Sequence, residues 1–177
     1  MKTENNKILL LGVGNDILMD DGIGPRIVNE LRPVLAADRF DFANINLGGL
    51  EILEFIKDYN EVVIVDAIRT KEGEPGEVYL LTPDDFTETC HLSNFHDVSF
   101  LTALKLGDCL NMGVPDSILI FAVEIVEDSY FSTRLSPELE VKYEEIYEEV
   151  RSILHILEDN TGSITDIINK INHNEKA

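Results

Sequence analysis

The sequence predicts an α/β fold, a three-layer α/β/α sandwich around one mostly parallel five-stranded sheet with an antiparallel strand expected at one edge. Two observations carry this. Three short runs, Ile8–Leu11, Val62–Val65 and Ile118–Phe121, are apolar at every position. Strands of that kind are covered on both faces, as in a parallel sheet. Stretches of helical spacing alternate with them, and the resulting order, βαβαββαβα, places helices on both sides of the sheet.

The chain opens on Lys7 to Gly24, KILLLGVGNDILMDDGIG, around which the rest is organised. It reads as a buried strand, a glycine turn at Gly12 and Gly14, a paired acid at Asp20 and Asp21, and a helix start. Ile23, Ile27, Val28 and Leu31 recur at helical spacing, giving a first helix from about Gly22 to Leu35. Pro25 falls in its first turn, where no hydrogen bond is lost. Phe40 to Ile45 alternates weakly as a second strand that leads to Gly48 and Gly49, and Leu50, Leu53 and Ile56 give a short second helix. Glu61 to Asp66, EVVIVD, repeats the opening grammar, with mostly β-branched residues and an acid where the strand is expected to end.

The turn cluster KEGEPG precedes a strand at Glu77 to Leu81, the antiparallel edge candidate. Thr82 to Phe95 has no periodicity and reads as a loop into a helix from His96 to Leu106, with Val98, Leu101 and Leu104 on its buried side. Ser117 to Val123 is the last strong strand, followed by an irregular acidic passage. Ser136 and Pro137 mark the cap and first turn of a long helix whose stripe runs through Leu139, Tyr143, Ile146, Val150, Ile153 and Leu157. Ile164, Ile167, Ile168 and Ile171 have the spacing of one more short helix, with fraying expected from His173. We expect a single domain over residues 1–177, with its core between about residues 7 and 157.

Bulk properties narrow the function. Length and a hydrophobic content of 44% suffice for one full core. Thirty-four acidic residues against 14 basic ones give a net charge of −20, which repels phosphate backbones and anionic lipid. We therefore expect no nucleic acid and no membrane partner. The start, MKTENNK, lacks the apolar segment of a signal peptide, so a cytoplasmic location is expected. Cys90 and Cys109 form no CxxC pair and are expected to be reduced thiols.

The acids and one histidine then gather at the carboxyl edge of the sheet, where open α/β sheets bind ligands. Asp20 and Asp21 follow the first strand, Asp66 ends the third, and His96 opens the helix after the long loop. Each has a plain structural reading. Asp21 would cap a helix, Asp66 a turn, and His96 would bond backbone at a helix start. Taken jointly, Asp21, Asp66 and His96 make a three-ligand metal site with open positions. Cys90 and His91 lie in one loop without a partner pair and make a poorer cluster. Tyr143, Tyr147 and Met19 read as core or surface, and Glu144, Glu145, Glu148 and Glu149 as a solvated helix face. A dinucleotide site is disfavoured, because Ile17 replaces the third glycine of the fingerprint and Asp20 with Asp21 would repel a pyrophosphate.

These residues resemble the hydrogenase maturation endopeptidases, which trim the large subunit of nickel-iron hydrogenases. GVGNDILMDDGIGPRIV is similar to the family's amino-terminal motif, IVDAI to its second acidic strand end and SNFHDVSFLTAL to its histidine-bearing helix start; LGGLEIL and LSPELE match more weakly. The likeness covers about Lys7 to Leu157. It implies that Asp21, Asp66 and His96 are the catalytic, metal-contacting residues, the first being glutamate in many members. It also implies a hydrolase that removes a carboxyl-terminal extension from the large subunit precursor, with nickel arriving in the substrate. Oxygen and nitrogen ligands without thiolate suit nickel or zinc held loosely, and no serine or cysteine sits convincingly with a histidine base. Asp20 is then a candidate orienter of the site, and Gly48 and Gly49 candidate shapers of a peptide cleft. A nickel metallochaperone without cleavage activity and a nucleotide-binding module are the alternative classes. The acidic surface suggests a monomer that docks transiently.

Overall fold

The computed structural model describes residues 7–46, 51–85, 95–159 and 163–174, the side chains of 95–99, 101 and 170–174 left aside. Its strands are β1 (Ile8–Val13), β2 (Phe40–Ile45), β3 (Glu61–Ile68), β4 (Val78–Leu81) and β5 (Ser117–Glu124). They form one sheet in the order β2-β1-β3-β5-β4. The first four in that row are parallel, while β4 pairs antiparallel with β5 at the edge, as the turn cluster before it implied. The helices are α1 (Ile23–Leu31), α2 (Ile52–Ile56), α3 (Phe95–Cys109), α4 (Pro137–Glu158) and α5 (Ile164–Asn174).

Alternation along the central strands divides the core in two. Ile8, Leu10, Val63, Val65, Leu119 and Phe121 face α1, α4 and α5, whereas Leu9, Leu11, Val62, Ile64, Ile118 and Ile120 face α2 and α3. Both faces of each strand are therefore dry, which is why these runs carry no polar residue. Residues beyond Leu157 also join the core, since Ile164 and Ile167 are buried against the first layer. The predicted cap of α4 forms, with Ser136 Oγ accepting from the Leu139 amide at 3.4 Å.

Two of the boundaries that differ from expectation do so for identifiable reasons. The helix predicted from Gly22 to Leu35 is shorter, because a single 3-10 turn, Met19–Gly22, precedes α1 and Pro33 ends the regular ladder behind it. Val34 and Leu35 both bond back to the Leu31 carbonyl instead. Strand β3 does not stop at Asp66. Ala67 and Ile68 continue it because β5, a partner distant in sequence, extends beside them to Glu124.

The way α1 meets the sheet positions the rest. A Cβ on Gly24 would lie 2.3 Å from the Val65 carbonyl oxygen and 2.6 Å from that of Val13. Only glycine permits that approach, which seats the start of α1 across the ends of β1 and β3.

Candidate active site at the carboxyl edge

Beyond β1 the backbone reverses at Gly14, which has φ +132°. A side chain there would collide with the Asp21 carbonyl. The turn carrying Asp21 is thus folded directly over the glycine, and the Asn15 amide donates to Asp21 Oδ2 at 2.7 Å. The N-cap of α1 is Gly22, so the capping role considered for Asp21 is not what its position provides. Its carboxylate is half-buried at the rim. The Gly14 and Asn15 amides already donate to Ile45 and Asp21, so the turn does not offer them to a phosphate.

Asp66 lies on the neighbouring strand, and its place follows from register. Pairing between β1 and β3 ends at Gly12 opposite Val65, so Asp66 is the first β3 residue past the β1 ladder while still opposite Ala122 on β5. By alternation it shares the side of Ile64 and Ile68, toward the α2 and α3 layer. Asp66 Oδ1 accepts from the Ala67 amide at 2.8 Å. The 3-10 turn bearing Asp21 packs against β3, which brings both acids to one edge.

His96 is the second residue of α3, and its side chain lies outside the described residues. The direction of the helix is clear. A Cβ on Gly107 near its end would contact Leu53 and Val114, just ahead of β5 at the amino edge. A 15-residue helix is about 22 Å long, so its first turn belongs toward the carboxyl edge, on the layer that Asp66 faces. Among the described residues no three His, Cys, Asp or Glu form a group that could hold a metal ion. Gly48, Gly49, Cys90 and His91 also lie outside the described residues, and Cys109 is an exposed free thiol.

Asp20 has a task that the sequence reading missed. It is 0% exposed, and its Oδ2 accepts from the amides of Val126 at 3.2 Å and Glu127 at 3.0 Å while Oδ1 accepts from Ser136 at 2.6 Å. Its own amide donates to the Glu127 carbonyl. One buried carboxylate therefore fixes both ends of the segment between β5 and α4, supplying acceptors to amides that would otherwise be orphaned. Glu124 acts similarly at the end of β5, accepting from the Thr70 amide at 2.7 Å and hydroxyl at 3.0 Å. Neither partner set is adjacent in sequence, so only an acid inside a loop-rich edge could have signalled the role.

The fold resembles that of known endopeptidases. The hydrogenase maturating endopeptidase HybD from Escherichia coli superposes with a TM-score of 0.66 at 26% identity, over 84% of this chain and 92% of that one. A second E. coli endopeptidase, solved in solution, gives 0.65 at 28% identity over 81% and 89%. In sequence, the hydrogenase 2 maturation protease of E. coli is 34% identical over 80 residues, 45% of this chain and 49% of the relative. HupD of Bradyrhizobium diazoefficiens, a hydrogenase expression/formation protein, is 28% identical over 122 residues, 67% and 62% of the two chains. The match thus spans about half of one curated relative and under two thirds of the other. Residues 25–153 match the HycI model, described as hydrogenase maturation protease. This chain belongs to the hydrogenase maturation protease family. Among its described residues no helix is long and apolar enough to cross a membrane.

Proposed function

We propose that the protein is an endopeptidase that removes a carboxyl-terminal extension from the nickel-loaded large subunit precursor of a nickel-iron hydrogenase. The observation that carries this reading is the seating of the Asp21 turn on β3, beside the point where Asp66 leaves the β1 ladder, in a chain of this family. The relatives' names, a maturating endopeptidase and a hydrogenase 2 maturation protease, support the reaction class.

The chemistry follows from the donor set. Two carboxylates and an imidazole offer oxygen and nitrogen ligands to an ion that arrives with the substrate, and the missing thiolate keeps their hold loose enough for product to leave. Such an ion polarises the scissile carbonyl and acidifies water. Asp21 and Asp66 would hold the reacting group against the rigid ends of β1 and β3, which restricts its orientation before attack. Hydrolysis then adds hydroxide to the carbonyl carbon and returns the proton to the departing amine. No covalent enzyme intermediate is required.

The test is to incubate the protein with nickel-loaded and nickel-free precursor and weigh the products by mass spectrometry. Loss of a carboxyl-terminal peptide from the loaded form alone is expected. Equal cleavage of both forms would overturn the role of nickel. Nickel uptake without any cleavage would put the metallochaperone reading in its place.

A further inference from the structure

Three large apolar side chains stand in water beside the candidate site. Phe131 is 81% exposed, Tyr130 69% and Ile17 48%. They belong to two loops that are joined. Leu18 forms a parallel bridge with Ser132, the Ser132 amide donates to the Ile17 carbonyl at 3.0 Å, and the Met19 amide donates to Ser132 at 2.8 Å. The Ile17 loop is in turn continuous with the site, since Asn15 donates to Asp21 and the Asp21 amide donates to the Leu18 carbonyl. The aromatic pair is carried on the segment that the buried Asp20 carboxylate pins at Val126, Glu127 and Ser136.

Exposed apolar residues scattered singly need no explanation, but these three are placed by hydrogen bonds at one rim. Aromatics presented on an ordered loop lose little freedom on contact, which is the character of binding hot spots. Their surroundings define the occupant. Asp128 is already paired with Arg69 at 3.2 Å, but Glu127 also precedes the aromatics and the whole chain carries −20. A second copy of such a chain is repelled, whereas a basic partner is drawn in.

We infer that Ile17, Tyr130 and Phe131 form the docking surface for the protein substrate, receiving a segment of the precursor that bears apolar side chains flanked by lysine or arginine. The inference rests on the endopeptidase reading of the adjacent edge. The surface holds the substrate's body while its chain enters at Asp21 and Asp66, so it governs binding and leaves the chemical step alone.

The experiment compares the full-length wild type with the double variant Tyr130→Ser/Phe131→Ser and the control Leu110→Ser. Leu110 is 59% exposed but follows α3 near the amino edge. Calorimetry with the nickel-loaded precursor should show Kd raised about tenfold or more in the double variant, as loss of a hot-spot pair does. Cleavage should show KM raised alike with kcat within about twofold, and the conservative single variant Phe131→Tyr should stay close to wild type in both Kd and KM. Leu110→Ser should match wild type. Equal Kd and KM in wild type and double variant would overturn the inference, as would sedimentation showing that the patch joins two copies of this chain. A wild type that binds the precursor yet leaves it whole refutes the endopeptidase reading while the Kd comparison still judges the surface. A wild type that neither binds nor cuts refutes both.

Discussion

Asp20 and Asp21 are neighbours in one 3-10 turn, and they do opposite things. Asp20 is fully buried and spends its carboxylate on the amides of Val126, Glu127 and Ser136. Asp21 remains half-buried at the rim, tied to the Asn15 amide beside the end of β3. In such a turn consecutive side chains diverge, so one acid reaches inward to build the edge and the next lies along it. The inward acid builds the edge, and the rim acid is the one proposed to act in the chemistry. A paired acid at a strand end is therefore not a single functional unit.

That contrast breaks most visibly at the proposed ligands. Asp66→Asn and His96→Ala should each lower precursor cleavage by on the order of a hundredfold or more, because a displacement of about 1 Å in such a site already costs that much. Their melting should stay within roughly 0.5 kcal/mol of wild type, as for changes away from core packing. Melts by circular dichroism and a cleavage assay on the same preparations check both halves. A His96→Ala protein that melts normally and cuts at the wild-type rate contradicts the mechanism.

Asp20→Ala should invert the pattern. It orphans three amides, each costing about 1–3 kcal/mol, so a loss of at least about 3 kcal/mol and a fall in Tm of roughly 6–12 °C are expected. Denaturant unfolding measures it, and a variant as stable as wild type would remove the latch from the account.

A smaller effect is expected from pH. Binding of an ion needs a neutral imidazole, so affinity should fall as pH drops through the ordinary histidine range near about 6.5, by on the order of thirtyfold at pH 5 relative to pH 8. Nickel titrations at the two pH values test this, and equal affinity would strike His96 from the ligands. The smallest change belongs to Asp21→Glu, which keeps charge and ligand type and should retain cleavage within about tenfold of wild type. A complete loss there would show that the reach of the side chain, held short by the turn over Gly14, is fixed.

Much of this was legible in the sequence because the two-sided burial of β1, β3 and β5 leaves a continuous apolar run that only a parallel sheet explains. Strand β2, at the sheet edge, shows mixed burial, and its pattern was correspondingly weak. Asp66 was legible as an edge acid since it closes the apolar run Val62–Val65, and Asp21 since it follows the glycine turn after β1. The extension of β3 through Ala67 and Ile68 was not, because it depends on Val123 and Glu124 far along the chain. The latch by Asp20 and the exposed pair Tyr130 and Phe131 were hidden for the same reason. Both need the segment after β5 to return to the turn after β1, and no local spacing records that return.

Crystals soaked in nickel or zinc and read by anomalous scattering would show whether Asp21, Asp66 and His96 share one ion at the carboxyl edge, as proposed. A single strong site is expected, with carboxylate oxygens and an imidazole nitrogen at about 2.0–2.2 Å. An ion held elsewhere, or His96 on the opposite face of the sheet from Asp66, would contradict it.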